Sequence, residues 1–417
     1  MRPHCALAPL GSTPLVALTL LCAAQWAPIT AAEPRIVYNG PSPRGGVQKL
    51  SAVELWRAGG EEDEQFFGAI AQVTSDAAGN IYLLDSQRAQ VMVYSADGSY
   101  RGSLSREGTG PGEVQHPVDL FVLPDGTLGL VQPFPGKVIK VDRDGTPGGT
   151  MTYRTGAAGQ GGFAALVRGL VRGGVYVLGG VRMSYGNDGT GREVRFLSRC
   201  SDQGMEEHCY VSLETAVNYN DFSLRERTQS FAWRRCDLDS EGRLYVAPAW
   251  DRYRIEVHNA EGELEWIIER DYESLERDPY QRVAARARLE AYARYYPTPP
   301  REITIEDTEP DIASLWVAPD GRLWVRTSRG DHDRTAGIIT TFDVFDRDGQ
   351  FAQQISLTGL GDPQRDLLYL LGGDQLVVVV EGVGAVLSQQ GVSLPDSEER
   401  GEPAALEIIC CRLLPRD

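Results

Sequence analysis

Histidine is scarce in this chain, with five in 417 residues. Beyond the N-terminal segment there remain His116, His208, His258 and His332. His208 falls beside Cys209 in a predicted outer strand, and His258 falls near a tight turn on the opposite face, which gives a shared histidine metal centre little support. Cysteine-rich metal spacing is absent, as are a G-x-S-x-G nucleophile elbow and a P-loop. Positive charge is in deficit: 41 Lys and Arg stand against 58 Asp and Glu, for a net charge of −17. That surface repels phosphate backbones, which excludes nucleic acid as a partner and disfavours anionic lipid. The acidic residues are spread along the chain and form no tail, so their plainest role is a solvated surface. Past the N-terminus no apolar run is long enough to span a membrane as a helix; the run 376–380 (LVVVV) has the length of a buried strand.

Glycine and proline are plentiful, 46 and 24 residues, which points to many turns. The N-terminus reads as an export signal. Arg2 is followed by an apolar stretch over 15–24 and by small residues Thr30, Ala31 and Ala32 before Glu33. A lipid anchor at Cys22 is disfavoured by Leu21 before it. The expected division is a signal peptide at 1–32 and one domain at 33–417, secreted or periplasmic. Five cysteines remain after cleavage. Cys200 and Cys209 flank a predicted hairpin turn and are the disulfide candidates for an oxidising compartment; Cys236, Cys410 and Cys411 have no evident pairing.

One two-turn pattern recurs. First turns fall at 76–79, 125–126, 173–174, 239–242, 320–321 and 373–374, each followed by a short apolar strand: 81–85 (IYLLD), 128–132 (LGLVQ), 175–179 (VYVLG), 244–248 (LYVAP), 323–327 (LWVRT) and 376–380. Second turns follow at 97–98, 144–145, 202–204, 261–262, 348–349 and 390–391, led into by strands that include Val91 and Val93 in the first unit and Val383 and Val386 in the last. Tight hairpins need positive φ, which glycine adopts freely and aspartate tolerates. Strands rich in Val, Ile, Leu and Tyr suit a sheet buried on both faces. Four strands per unit at a period of about 47 residues is a propeller blade. The expectation is an all-β, six-bladed propeller of four-stranded antiparallel blades. Either the run 52–67 or the run 406–413 is expected to complete the last blade.

The stretch 76–100 (DAAGNIYLLDSQRAQVMVYSADGSY) followed by 105–117 (SREGTGPGEVQHP) resembles an NHL repeat and its inter-blade linker. Over most of the mature chain the sequence is similar to exported bacterial six-bladed propellers related to NHL repeats, best in units one, two, four and five. In that group a charged helical insertion tends to precede the fifth blade. The resemblance implies fold and export. It implies no activity, since NHL-like propellers include binding scaffolds, lyases and lactonases.

In a four-stranded blade the first-to-second and third-to-fourth turns share one face, here tight. The insertions at 179–192, 214–230, 270–310 and 327–338 fall on the other, where binding loops are expected. In the largest, about 271–310 and between blades four and five, Asp278–Pro279 is a helix start and Pro297 a stop. Tyr280, Val283, Ala284, Ala287 and Ala291 share one predicted face, read as packing on the propeller, or as a lid with Tyr292, Tyr295 and Tyr296 turned to ligand. Trp250 with Arg252 is read as an exposed anchor or as a tryptophan wedged between blades. Tyr219, Trp250, Arg252, Tyr292, Tyr296 and His332 are the ligand-binding candidates. His332 lies with Asp331 and Asp333 in 329–335 (RGDHDRT), whose plainer reading is a polar loop tip. No catalytic residue is assigned and no cofactor is called for. Calcium enters only through the propeller-lactonase analogy, where Asp85, Asn187, Asp188, Asn220, Asp221 and Asp251 lie near the same face. The function expected is a binding or scaffold module for a protein, peptide or glycan; the alternatives are a metal-dependent hydrolase or lyase with a carboxylate-lined channel and a structural part of an envelope assembly. Nothing in the sequence sets the oligomeric state.

Overall fold

The expected turns are where the chain folds back. In the computed structural model the glycine N–H at Gly79, Gly98, Gly126, Gly145, Gly204, Gly242, Gly262, Gly321 and Gly349 donates to the carbonyl three residues earlier. Gly98 shows why no other residue serves: its φ is +84°, and a Cβ there would stand 2.5 Å from the Trp56 ring. Each turn joins two antiparallel strands. The second strands of the first two units, Ile81–Asp85 and Leu128–Gln132, are buried at every position, as a sheet covered on both faces requires. The outermost strand Pro147–Thr152 is exposed at all positions but one.

The structure describes residues 33–416 apart from 62, 64, 157–162, 333–334, 363, 373 and 393–404. The proposed signal peptide and Asp333 lie outside the described residues. Pro34–Asp417 form one unit, an all-β, propeller-like arrangement of small antiparallel sheets. Hydrogen bonding defines four sheets of four or five strands and one of eight, with a two-stranded parallel pair, Ser223–Arg225 with Glu302–Thr304. The expected six separate blades are therefore corrected: the last two units are one continuous sheet. Two meanders meet in it, because Val47–Gly59 pairs antiparallel with Glu407–Pro415 on one side and parallel with Phe351–Thr358 on the other. The two termini, expected to compete for one place, lie side by side. A further N-terminal strand, Arg35–Asn39, adds parallel to the outer edge of the fourth unit.

The last unit departs from expectation for a readable reason. Val383 and Val386 are three apart, and with Leu387 they have helical spacing; the segment is a helix, Gly382–Gln389. Its place in the sheet is taken by Glu407–Pro415. In the third unit the expected insertions at 179–192 and 214–230 are mostly strand: Val175–Tyr185, Thr190–Cys200 and Glu206–Asn218 make one long meander. Gly180 lies within the first of these strands and marks a close approach, since a Cβ on it would stand 2.1 Å from the Ala165 carbonyl oxygen.

Innermost strands of neighbouring units are tied to one another around the axis. Gln72 donates to Asp119 (2.7 Å), Asp119 accepts from the Gly169 N–H (2.8 Å), Asp237 accepts from the Val317 N–H (2.8 Å), and the Tyr369 hydroxyl donates to the Ala71 carbonyl (3.1 Å). These bonds fix the inner wall on which the candidate site is built.

The disulfide expectation is overturned. Cys200 and Cys209 are both free. Register shifts in their hairpin pair Cys209 with Ser198 and Cys200 with Glu206. Cys200 turns into a hydrophobic core while Cys209 stays exposed.

Candidate functional site

The excursion between the fourth and fifth units carries a helix, Pro279–Ala293. Its start is closed by a capping box: Asp278 accepts from the Gln281 N–H, and the Gln281 side chain accepts from the Asp278 N–H. Buried positions are Gln281, Ala284, Ala285, Leu289 and Ala291. The expected face is half right, for Val283 is 51% exposed. The reason is that the helix is covered on two sides. Leu289 packs with Val217, Phe222 and Leu224 from the third unit and its exit loop. Ala284 and Ala291 pack with Val383 and Leu387 of the helix in the last unit. A helix that touches the third and last units, which are not neighbours, must cross the opening between them. The excursions also hold one another, since Arg301 donates its N–H to the Phe222 carbonyl.

The sequence candidates do not form one pocket. Trp250 is 4% exposed, with Nε1 on Thr308 (3.3 Å) and the guanidinia of Arg227 and Arg277 over its ring; the exposed-anchor reading is corrected to a packed tryptophan. Arg252 is exposed and paired with Glu269 at 2.6 Å. Tyr219 and Tyr296 meet in the cluster beneath the helix. The Tyr296 hydroxyl donates to Glu193 (3.2 Å), and Arg195, fully buried, bonds Glu193 (3.1 Å) and Gln229 (2.5 Å). Tyr292 rings contact Tyr295 and Tyr296. Burial holds the hydroxyls of Tyr219, Tyr292 and Tyr296 above the ordinary tyrosine range. These tyrosines join the helix to the third unit.

His332 finds the partners its sequence neighbours lacked. Because Gln281 Oε1 already accepts from Asp278, its Nε2 faces His332 Nδ1 and donates (2.8 Å). His332 Nε2 then carries the proton and donates to Glu309 (2.9 Å). Gln364 reaches the same Nδ1 at 2.9 Å. Both ring nitrogens are engaged, so His332 clamps the first turn of the helix to the fifth and last units. Loss of hydration pushes the Glu309 carboxyl up, but the His332 hydrogen bond and the charges of Arg277 and Arg288 hold it below the ordinary value. Arg277 makes a bidentate pair with Glu226 (2.6 and 2.7 Å). Asp331 turns away, to Thr340 (3.1 Å) and Arg326 (3.2 Å), so Asp331 and His332 share no site.

The aspartates considered for calcium, and Asn220 with them, are engaged with protein groups. Asp85 accepts four backbone N–H groups, from Gly68, Ala69, Gln87 and Arg88. Asp188 caps Thr190, Asn220 bonds the Asp188 carbonyl, Asp221 pairs with Arg301 and Asp251 with Arg227. Among the described residues no three His, Cys, Asp or Glu side chains are grouped as a metal would need. Cys236, beside Arg168 on the inner wall, is pushed by burial up to about 12, which leaves no thiolate for nucleophilic work.

What the sequence did not indicate is a gathering of arginines at the opening. Tyr369, on the innermost strand Leu367–Leu370, is pushed up to about 12 by burial, against the charges of Arg234, Arg168 and Arg326. These come from three other units. Arg168 is paired with Asp119 at 3.3 Å and Arg326 with Asp331. Among the described residues the side chain of Arg234 forms no hydrogen bond or ion pair, and neither does that of Arg288 of the crossing helix. Arg288 is exposed to solvent, yet loss of hydration is the main force holding its charge below the arginine range, followed by Glu309 pulling upward and Arg277 and Arg234 pushing down. A separate pocket of about 330 Å³ beside the last unit is lined by two ion pairs, Arg57 with Glu407 at 2.8 Å and Arg365 with Glu381, and by Asp362 and Asp366.

The class these sheets define is the β-propeller. A member of the DUF4221 family from Bacteroides vulgatus has a similar structure, with a TM-score of 0.50 at 9% identity over 89% of this chain and 99% of that one. A gluconolactonase from Xanthomonas campestris matches at 0.41 and 11% identity over 83% and 88% of the two chains. Virginiamycin B lyase from Staphylococcus aureus matches at 0.37 and 9% over 85% and 98%. At these identities the likeness is one of fold. No family model and no curated protein matches the chain. Among the described residues no helix is long and apolar enough to cross a membrane.

Proposed function

We propose that this is an exported, single-domain, six-bladed propeller that binds a peptide or glycan at the opening crossed by the helix Pro279–Ala293. The six-blade count is supported by the two four-stranded meanders within the eight-stranded sheet, which together with the four smaller sheets make six. Export is supported by the N-terminal composition at 1–32. The observation that carries the functional reading is the helix itself, which joins non-adjacent units and gathers the long excursions around one opening. Every carboxylate weighed for metal chemistry has its own partner, so binding is favoured over metal-dependent hydrolysis or lyase chemistry.

Peptide and glycan arrays probed with the mature chain test this. In a Cys209→Ser background, a polyethylene-glycol maleimide placed at Tyr295→Cys, at the exposed end of the helix, abolishes capture. The same label at Arg322→Cys, on the tight-turn face, leaves it intact. Equal capture by both labelled proteins rejects the reading.

A further inference from the structure

We infer that a row of aromatic rings, running outward from the end of the crossing helix along one face of the third unit, is a docking strip for a neutral oligosaccharide chain. The inference rests on the binding reading above and chooses a glycan as its ligand.

The row is a series of ring contacts. Phe134 meets Phe163 with centroids 5.1 Å apart, Phe163 meets Tyr185 at 5.7 Å, and Tyr185 meets Tyr219 at 5.5 Å. Tyr219 meets Phe222 at 5.8 Å, and Phe222 meets Tyr296 at 4.5 Å, just past the helix. Strand register brings the rings together. Phe163 pairs with Met183, and Tyr185 pairs with Gly191, which pairs with Val217. Side chains alternate along a strand, so Phe163, Tyr185 and Val217 share one face of the sheet. Gly191 has no side chain to stand in the row, and a Cβ there would lie 3.5 Å from the Tyr185 ring.

The two ends of the row differ. At the helix end Phe222 is buried and Tyr296 is bonded to Glu193, so those rings hold the fold together. At the outer end Phe134 is 60% exposed, Tyr185 46% and Phe163 38%. Singly scattered apolar side chains on a surface are ordinary, but three exposed rings in mutual contact form one apolar strip. Such a strip gains by shedding its water against a flat apolar partner.

The groups beside the strip select the partner. Two chain tips meet next to Tyr185 and Tyr219, where Asn220 donates to the Asp188 carbonyl (2.8 Å) and the Tyr219 N–H to the Gly189 carbonyl (2.9 Å). Asn187, Asp188, Asn218 and Asn220 are exposed there. Their amides and carboxylate offer donors and acceptors together, which suits hydroxyls, since a hydroxyl both gives and accepts. A sugar ring carries such hydroxyls at its rim and C–H groups on its faces, and so fits both parts of the surface. The neighbouring cations are already neutralised, Arg192 by Glu214 at 3.2 Å and Arg301 by Asp221 at 2.6 Å. An acidic chain finds no partner in them, and the net charge of −17 repels it. A proline-rich peptide would stack on the rings, but proline has no N–H to give the side-chain oxygens of the tips.

Calorimetric titration of the mature chain with cellohexaose, chitohexaose and maltohexaose tests the inference. At least one binds, and its affinity holds as sodium chloride is raised, because no charge is neutralised. Phe134→Ala and Tyr185→Ala each weaken binding roughly tenfold or more. Tyr185→Phe, which keeps the ring, and Arg322→Gln, on the tight-turn face, bind as the wild type does. All four variants melt close to the wild-type temperature, as substitutions at exposed positions do. Absence of binding by all three oligosaccharides overturns the inference, as does binding that both alanine variants leave intact, or capture of a polyproline peptide by these rings in their place. If an array ligand is blocked by the label at Tyr295→Cys but captured normally by Phe134→Ala and Tyr185→Ala, the opening stands as a binding site and the ring strip falls. If an oligosaccharide binds through Phe134 and Tyr185 while the label leaves array capture intact, the reverse holds.

Discussion

Two sets of arginines lie under one helix and differ in how they are satisfied. Arg195 is sealed, paired with Glu193 and bonded to Gln229, with Tyr296 beside it. Arg234 and Arg288 are exposed to solvent, and among the described residues neither side chain has an ion pair. The sealed set fastens the helix to the third unit, and removing one partner strands the other in a low-dielectric interior. The open set contributes little to folding and leaves donors free. The contrast separates a strut from a solvated surface, and substitutions measure it.

The largest effect is expected at the sealed end. Glu193→Ala leaves the Arg195 guanidinium buried without its carboxylate and costs about 3–5 kcal/mol in denaturant unfolding. A cost below about 1 kcal/mol would make this pair no strut. His332→Ala comes next. It leaves Gln281 and Glu309 without a shared partner, costing about 1–3 kcal/mol. Faster amide exchange is expected at the first turn of the helix, with little change in the first and second units.

Glu309→Gln sharpens the comparison through pH. The folded Glu309 carboxyl lies below its ordinary value of 4.5, so its contribution is present above that value and lost as pH falls through the folded one. The wild-type protein should lose stability over that acid range more steeply than Glu309→Gln; parallel curves would contradict the His332–Glu309 contact. The smallest effect belongs to the open set. Arg288→Gln changes stability by no more than about 0.5 kcal/mol, as expected for an exposed side chain without an ion pair among the described residues.

The ring was legible because its signal is local and repeated. Each Asp-Gly turn demands positive φ, and each following strand is apolar throughout, so units one and two could be placed from residues 76–104 and 125–152 alone. The last unit was not legible in the same way. Its third and fourth strands come from opposite chain ends, and Gly382–Gln389 carried a helical spacing inside a region counted as strand. The helix start at Asp278–Pro279 was readable from capping chemistry. The partners of His332 were not, because Gln281 and Glu309 stand at separate points of one long excursion and Gln364 lies beside the last unit. Arg234 and Arg288 carry no motif. That they stand without an ion pair is a property of the assembled ring that no window of sequence contains.

Hydrogen–deuterium exchange with and without a captured array ligand tests the central claim most directly. Slowed exchange in 279–310 and 327–338, with 76–79, 125–126, 239–242 and 320–321 unchanged, is the result this account predicts. Protection confined to those glycine turns would contradict it.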